Sequence, residues 1–147
     1  NFGTGFTSPD SASTFTIPSA AAKAVTVGAY DAGTGSAAPF SGRGYIVEIG
    51  GSLMVKPELA APGVNVLVPS VSGMARVSGT SYATPFVTGS AALLMEWGIV
   101  RGNDAFLYGE KLKAYLIKGA EPLAGAAVPD TQTGWGRLCL KNSLPQA

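Results

Sequence analysis

The chain has 147 residues, with 10 Lys or Arg, 9 Asp or Glu, no His and a formal net charge of +1. With no basic run and no interleaving of basic and aromatic residues, that balance argues against a nucleic-acid platform. No apolar run approaches the length of a membrane span, and Cys139 has no second cysteine for an internal disulfide.

Charged residues make up 13% of the chain and hydrophobic residues 46%, with a mean hydropathy of +0.26. That is too little charge to solvate a complete small surface, so an exposed apolar face is expected. Residues 1–16 are rich in Gly, Ser and Thr and lead into the extended Thr14-Phe15-Thr16-Ile17, as in an edge segment. Val25–Tyr30 is an apolar run of strand length, followed by a loop over 31–38. Tyr45–Ile49 and Leu53–Val55 flank Gly50-Gly51 and are placed to pair as a hairpin. Val64–Val68 reads as a strand closed by Pro69, and Arg76–Ser78 as a short extended approach to a turn at Gly79. A helix is predicted from Ser81 to Trp97, ending at Gly98, because Ala83, Val87, Ala91, Leu94 and Met95 recur at helical spacing.

A second helix is predicted from Asp104, as N-cap, to Lys118, ending at Gly119. Residues 120–133 read as a loop, and Gly134–Leu140 as a returning strand. Cys139, between Leu138 and Leu140, reads as a buried structural thiol. Strands alternating with helices over this length define one α/β domain with a mostly parallel sheet. In such sheets ligands bind beyond the carboxyl ends of strands.

The chemistry concentrates in Gly79-Thr80-Ser81-Tyr82-Ala83-Thr84-Pro85. Gly79 permits a tight turn and a close backbone approach. Thr80 and Ser81 are N-cap types, and Pro85 fits near a helix start. Gly89, Ser90, Ala91 and Ala92 are small, which allows another element to pack closely on this helix. A serine at that point sits where the helix dipole favours developing negative charge. Two readings stand side by side. By local chemistry alone, Ser-Gly-Thr-Ser before an apolar helix is more often a cap. The other reading is a nucleophile, which needs a base, ordinarily His.

The string resembles the Gly-Thr-Ser-x-Ala-x-Pro signature of subtilisin-like serine proteases. Further blocks follow in that family's order. They are Ile17-Pro18-Ser19-Ala20 with Ala24-Val25-Thr26-Val27-Gly28-Ala29-Tyr30, then Phe40-Ser41-Gly42-Arg43-Gly44. Lys56-Pro57-Glu58-Leu59-Ala60-Ala61-Pro62-Gly63 comes next, and Gly134-Trp135-Gly136-Arg137-Leu138 lies beyond the Ser81 block. Ala91–Ile99 and Lys113–Gly119 look like the clostridial branch that contains the Csp germination proteases.

The resemblance implies residues 1–147 as the C-terminal part of a subtilisin-like three-layer α/β/α catalytic domain, with 1–16 the tail of an upstream insert. It implies Ser81 as nucleophile, Thr80 as support for the oxyanion site, and acyl transfer on a peptide or protein substrate. The family's triad order is Asp, His, Ser. None of Asp10, Asp31, Asp104 or Asp130 lies in an Asp-Ser/Thr-Gly context. The upstream half of the same protease is therefore the expected partner, and this chain is expected to be inactive alone. The exposed apolar face is expected where that half docks. Asn1 reads as ordinary loop rather than the family's oxyanion Asn. No cofactor, metal, nucleic-acid or membrane partner is implied. By resemblance the protein is extracellular or spore-associated.

Tyr82 and Phe86 stand where the wider family commonly has Met and His. A pseudoprotease piece and a noncatalytic binding domain are the alternative readings.

Overall fold

A computed structural model describes residue 8 and residues 10–145. The reading of Asn1, and half of residues 1–16, fall outside that range. The central sheet has the order β2-β1-β5, with β1 at Val27–Asp31, β2 at Ser36–Ala37 and β5 at Leu59–Pro62. β1 and β5 run parallel, from Val27 opposite Leu59 to Tyr30 opposite Pro62. β2 adds an antiparallel edge to β1. Arg137 bridges Ala60 in the parallel sense.

Successive side chains of β1 and β5 point to opposite faces. Val27, Ala29, Leu59 and Ala61 join the main core with Ala83, Val87, Leu94, Leu107 and Leu116. Tyr30 and Ala60 face the other way, onto Leu123 of the 120–133 loop. The helix α1, Thr80–Met95, lies against β1 and β5, and α2, Gly109–Gly119, packs beside it with the short α3, Leu140–Ser143. The result is an α/β fold.

Two hairpins project from this core. In the first, β3 (Tyr45–Ile49) pairs with β4 (Ser52–Lys56) through Gly50-Gly51, both at positive φ. Such a turn matches the twist of an antiparallel pair. In the second, β6 (Val66–Ser70) pairs with β7 (Gly73–Val77), with Pro69 inside the strand rather than ending it.

Several sequence expectations need correction. The strand β5 carries no strand signal in the sequence, because Leu-Ala-Ala-Pro has little β propensity and, buried along most of its length, shows no alternation. Gly98 does not stop the first helix. A π-helical segment, Glu96–Val100, carries it onward, with Gly98 buried under Leu107. The second helix starts at Gly109, not Asp104. Asp104 instead accepts the Phe106 N–H and pairs with Lys111 at 2.6 Å. Gly134–Leu140 forms no strand; Arg137 makes single bridges to Ala60 and Glu121. Cys139 is half-buried rather than buried.

The helical stretch Thr80–Val100 is also longer and more apolar than expected. Its 21 residues have a hydropathy of 1.2, which meets the length and composition of a membrane span. One side of it packs on the sheet through Ala83, Val87, Ser90 and Leu94, while Tyr82, Phe86 and Leu93 are exposed on another side. Exposed apolar side chains also lie on both hairpins, among them Ile49, Leu53, Val71 and Met74.

Candidate active site

The start of α1 is fixed by backbone contacts. Asn65 N–H donates to Ser78 Oγ at 2.9 Å and Arg76 Nη1 to the Asn65 carbonyl at 3.0 Å, closing the base of the β6–β7 hairpin. Just beyond β5, Gly63 N–H donates to the Tyr30 carbonyl at 3.0 Å, and the Gly63 carbonyl accepts from Gly79 N–H at 2.8 Å. The helix start is thereby pinned to the carboxyl edge of the parallel pair. The expected strand at Arg76–Ser78 lies in the hairpin instead, so Gly63 makes the link to the sheet.

Both glycines are required. A Cβ on Gly63 would lie 2.6 Å from Ala29 Cβ and 3.0 Å from the Gly79 carbonyl oxygen. Gly79 has φ 156°, which side-chain-bearing residues rarely adopt.

From this turn the chain enters α1 with Thr80 as its first residue and Ser81 in the first turn, exposed. Gly79 occupies the N-cap position, and the helix start has no side-chain cap bond. The capping role that local chemistry favoured for Thr80 and Ser81 is thus not the one seen. Tyr82 N–H donates to the Gly79 carbonyl at 3.1 Å. The first N–H groups of a helix have no intrahelical acceptor, and no acid stands in this first turn. Pro85 lies inside the helix rather than at its first position. It has no N–H to give to the Ser81 carbonyl, so that carbonyl lacks its ordinary helical partner. Thr84 Oγ1 donates to the Thr80 carbonyl at 3.0 Å.

A hollow of about 290 Å³ opens beside this turn, lined by Thr80, Ser81 and Thr84 on one side and by Pro18, Ser19 and Ala24–Val27 on the other. The site therefore joins Ser81, Thr80 and the segment ahead of β1, which sequence reading treated separately.

Behind that segment lies a buried ionic cluster. Lys56 and Glu58 have side chains 0% and 2% exposed and pair at 2.7 Å. Lys113 of α2 bonds the same Glu58 oxygen. In the sequence, Lys56 and Glu58 stand only as members of the Lys56–Gly63 stretch. The available signal was the pair of charges inside the otherwise apolar Val55–Gly63.

An exposed serine thus stands at a helix start held at the carboxyl edge of a parallel strand pair, beside a hollow. Residues 2–136 match the model of the subtilase family. The chain belongs to that family of subtilisin-like serine proteases.

The structure of the Clostridium perfringens CspB protease is 45% identical, with a TM-score of 0.76, over 86% of this chain and 27% of that one. The self-cleaved protease domain of PatA is 30% identical with a TM-score of 0.65, over 86% of this chain and 42% of that one. The PII-type proteinase of Lactococcus lactis subsp. cremoris is 38% identical over 67 residues, 45% of this chain and 4% of that protein. Subtilisin-like protease SBT3.17 of Arabidopsis thaliana is 54% identical over 44 residues, 29% of this chain and 6% of that protein. The chain thus spans less than half the length of each of these relatives. The likeness to CspB agrees with the clostridial character of Ala91–Ile99 and Lys113–Gly119.

Proposed function

We propose that Ser81 is the nucleophile of a subtilisin-like endopeptidase, acting when this chain is joined to an upstream part that supplies the catalytic Asp and His. The observation that carries the reading is the exposed Ser81 in the first turn of α1 at the mouth of the 290 Å³ hollow. Ser81 Oγ gives its proton to the imidazole and bonds to the scissile carbonyl carbon. The carbonyl oxygen becomes an oxyanion, to which the Ser81 backbone N–H donates, with Thr80 Oγ1 as support. The C–N bond then breaks, the imidazolium protonates the leaving amine, and water releases the acyl group from Ser81 by the reverse sequence. The substrate is a peptide or protein.

The test is a fluorophosphonate probe and a peptide assay on the intact protease. Labelling at Ser81 is expected, with kcat falling about a millionfold in Ser81→Ala and the folded spectrum unchanged. Wild-type activity in Ser81→Ala removes Ser81 from the role. An unlabelled, inactive intact protein supports a noncatalytic domain instead.

A further inference from the structure

The buried cluster of Lys56, Glu58 and Lys113 has an unusual distribution of partners. Among the described residues, and apart from the bonds among themselves, their side-chain hydrogen bonds run to one segment, the irregular stretch ahead of β1. Lys56 Nζ donates to the Ala24 carbonyl at 2.8 Å and to Thr26 Oγ1 at 3.3 Å. Lys113 Nζ donates to the Ala22 and Ala24 carbonyls at 2.8 and 3.3 Å. Glu58 Oε2 accepts the Thr26 N–H at 2.7 Å. Thr26 Oγ1 passes the chain of bonds on to the Ser19 carbonyl at 2.6 Å. Ser19, Ala24 and Thr26 are the very residues that wall the hollow opposite Ser81.

Burying charges of this kind is costly, and well-packed apolar residues of similar size are often as stabilising or more so. The stretch 20–26 lies outside any strand or helix. Its backbone polar groups need partners from elsewhere. The cluster supplies them at fixed positions from β4, from β5's approach and from α2.

We infer that Glu58, with Lys56 and Lys113, positions the wall of the substrate hollow and so sets which side chain beside the scissile bond is accepted. These are positioning residues: they act through residues 19–26 and do not touch the reacting atoms. The inference rests on the reading of Ser81 as nucleophile.

The test uses the intact protease and a panel of peptides varied at the residues flanking the cleaved bond. In Glu58→Gln the side chain keeps its shape, loses its charge and exchanges one acceptor oxygen for an NH2 donor. In Lys113→Met the α2 brace is lost at the partly exposed edge of the cluster. Each is expected to raise KM by about tenfold or more for the preferred peptide, since misplacement of a positioning surface is felt at that scale. Each is also expected to flatten the ranking across the panel, with kcat much less affected. Labelling by a small fluorophosphonate, which does not fill the hollow, should proceed at the wild-type rate.

Leu123→Ala, in the separate cluster on the other face of the sheet, controls for plain destabilisation and should preserve the ranking. Wild-type KM and ranking in both cluster variants overturns the inference, as does an equal flattening in Leu123→Ala. If Glu58→Gln does not fold, Lys113→Met decides. Absence of labelling in the wild type is a different result: it removes the nucleophile reading and leaves no hollow to tune.

Discussion

Gly79 donates its backbone N–H to the Gly63 carbonyl at 2.8 Å, and Gly63 in turn donates to Tyr30 at 3.0 Å. This backbone relay ties the first turn of α1 to the edge of the central sheet. The sequence distance between Gly63 and Gly79 is taken up by the β6–β7 hairpin, so the position of Ser81 depends on a contact that hairpin alone does not provide.

Gly63→Ala is therefore expected to be costly. The added methyl would meet Ala29 Cβ at 2.6 Å and the Gly79 oxygen at 3.0 Å, and none of these groups is a flexible side-chain end. Overpacking of this kind costs about 1–3 kcal/mol. Gly89→Ala is the contrasting change. Gly89 is inside α1 with nothing within 4 Å of its added methyl, and replacing a helical Gly by Ala stabilises by about 0.5–1 kcal/mol. Urea denaturation midpoints of the two variants should move in opposite directions. A shift of both in the same direction contradicts the close packing at Gly63.

The second expectation is that this chain alone does not turn over peptides. It has no His, and a serine hydroxyl without its base is a weak nucleophile. Members of a triad act as a unit, so the remaining groups do not compensate. The measurement is peptide hydrolysis by pure chain. Turnover that disappears in Ser81→Ala would show that a base exists within these residues.

The order of elements around Ser81 was legible because strong local signals agree there. Gly50-Gly51 marked the first hairpin, and the helical spacing from Ala83 to Leu94 marked α1. The rest was hidden for physical reasons. β5 is a short Ala-rich segment between prolines, and its strand state comes from pairing with β1 and the Arg137 bridge. Asp104 looked like a cap because it precedes a helical pattern, but Lys111 and the Phe106 N–H claim its carboxylate. The Ser81 signature named the nucleophile candidate. The hollow beside it needed Ser19–Val27 to come near Thr84, which no spacing along the chain reveals. At Lys56 and Glu58 the local signal is two charges inside an apolar stretch, but their shared partner Lys113 of α2 is 55 residues from Glu58 along the chain and no spacing reveals it.

Stability should fall in acid with a component from two half-buried carboxylates. A hydrogen bond from Arg137 holds the Glu121 carboxyl below the usual carboxylate range, and a hydrogen bond from Lys111 does the same for Asp104. A depressed carboxylate pKa means that the unfolded chain binds the proton first as pH falls. The contribution is thus fully present above the unfolded value, about pH 4, and is lost as pH drops through the lower folded value. Melting temperature followed from neutral pH to below that point should decline less steeply in Glu121→Gln and Asp104→Asn than in the wild type. Parallel declines in all three would place the acid sensitivity elsewhere.

The remaining prediction concerns Tyr82, which follows Ser81 in the first turn of α1 and is 37% exposed. It faces a shallow hollow shared with Val68, Val71 and Val77 of the second hairpin. In the subtilase pattern this position is commonly Met. A Met beside a nucleophile is a point of oxidative weakness, because the sulfoxide places a polar oxygen next to the reacting centre. Tyrosine cannot follow that route. Met54 is half-buried on β4, Met74 is exposed on β7, and Met95 ends α1, about four helical turns beyond Ser81. Oxidation at any of the three is expected to leave the chemistry intact. The intact protease should accordingly retain most of its activity under a mild peroxide dose, while Tyr82→Met should lose activity progressively over the same range. Mass spectrometry of the treated proteins assigns the sulfoxide to its residue. If wild type and Tyr82→Met decline at the same rate, Tyr82 does not lie beside the nucleophile.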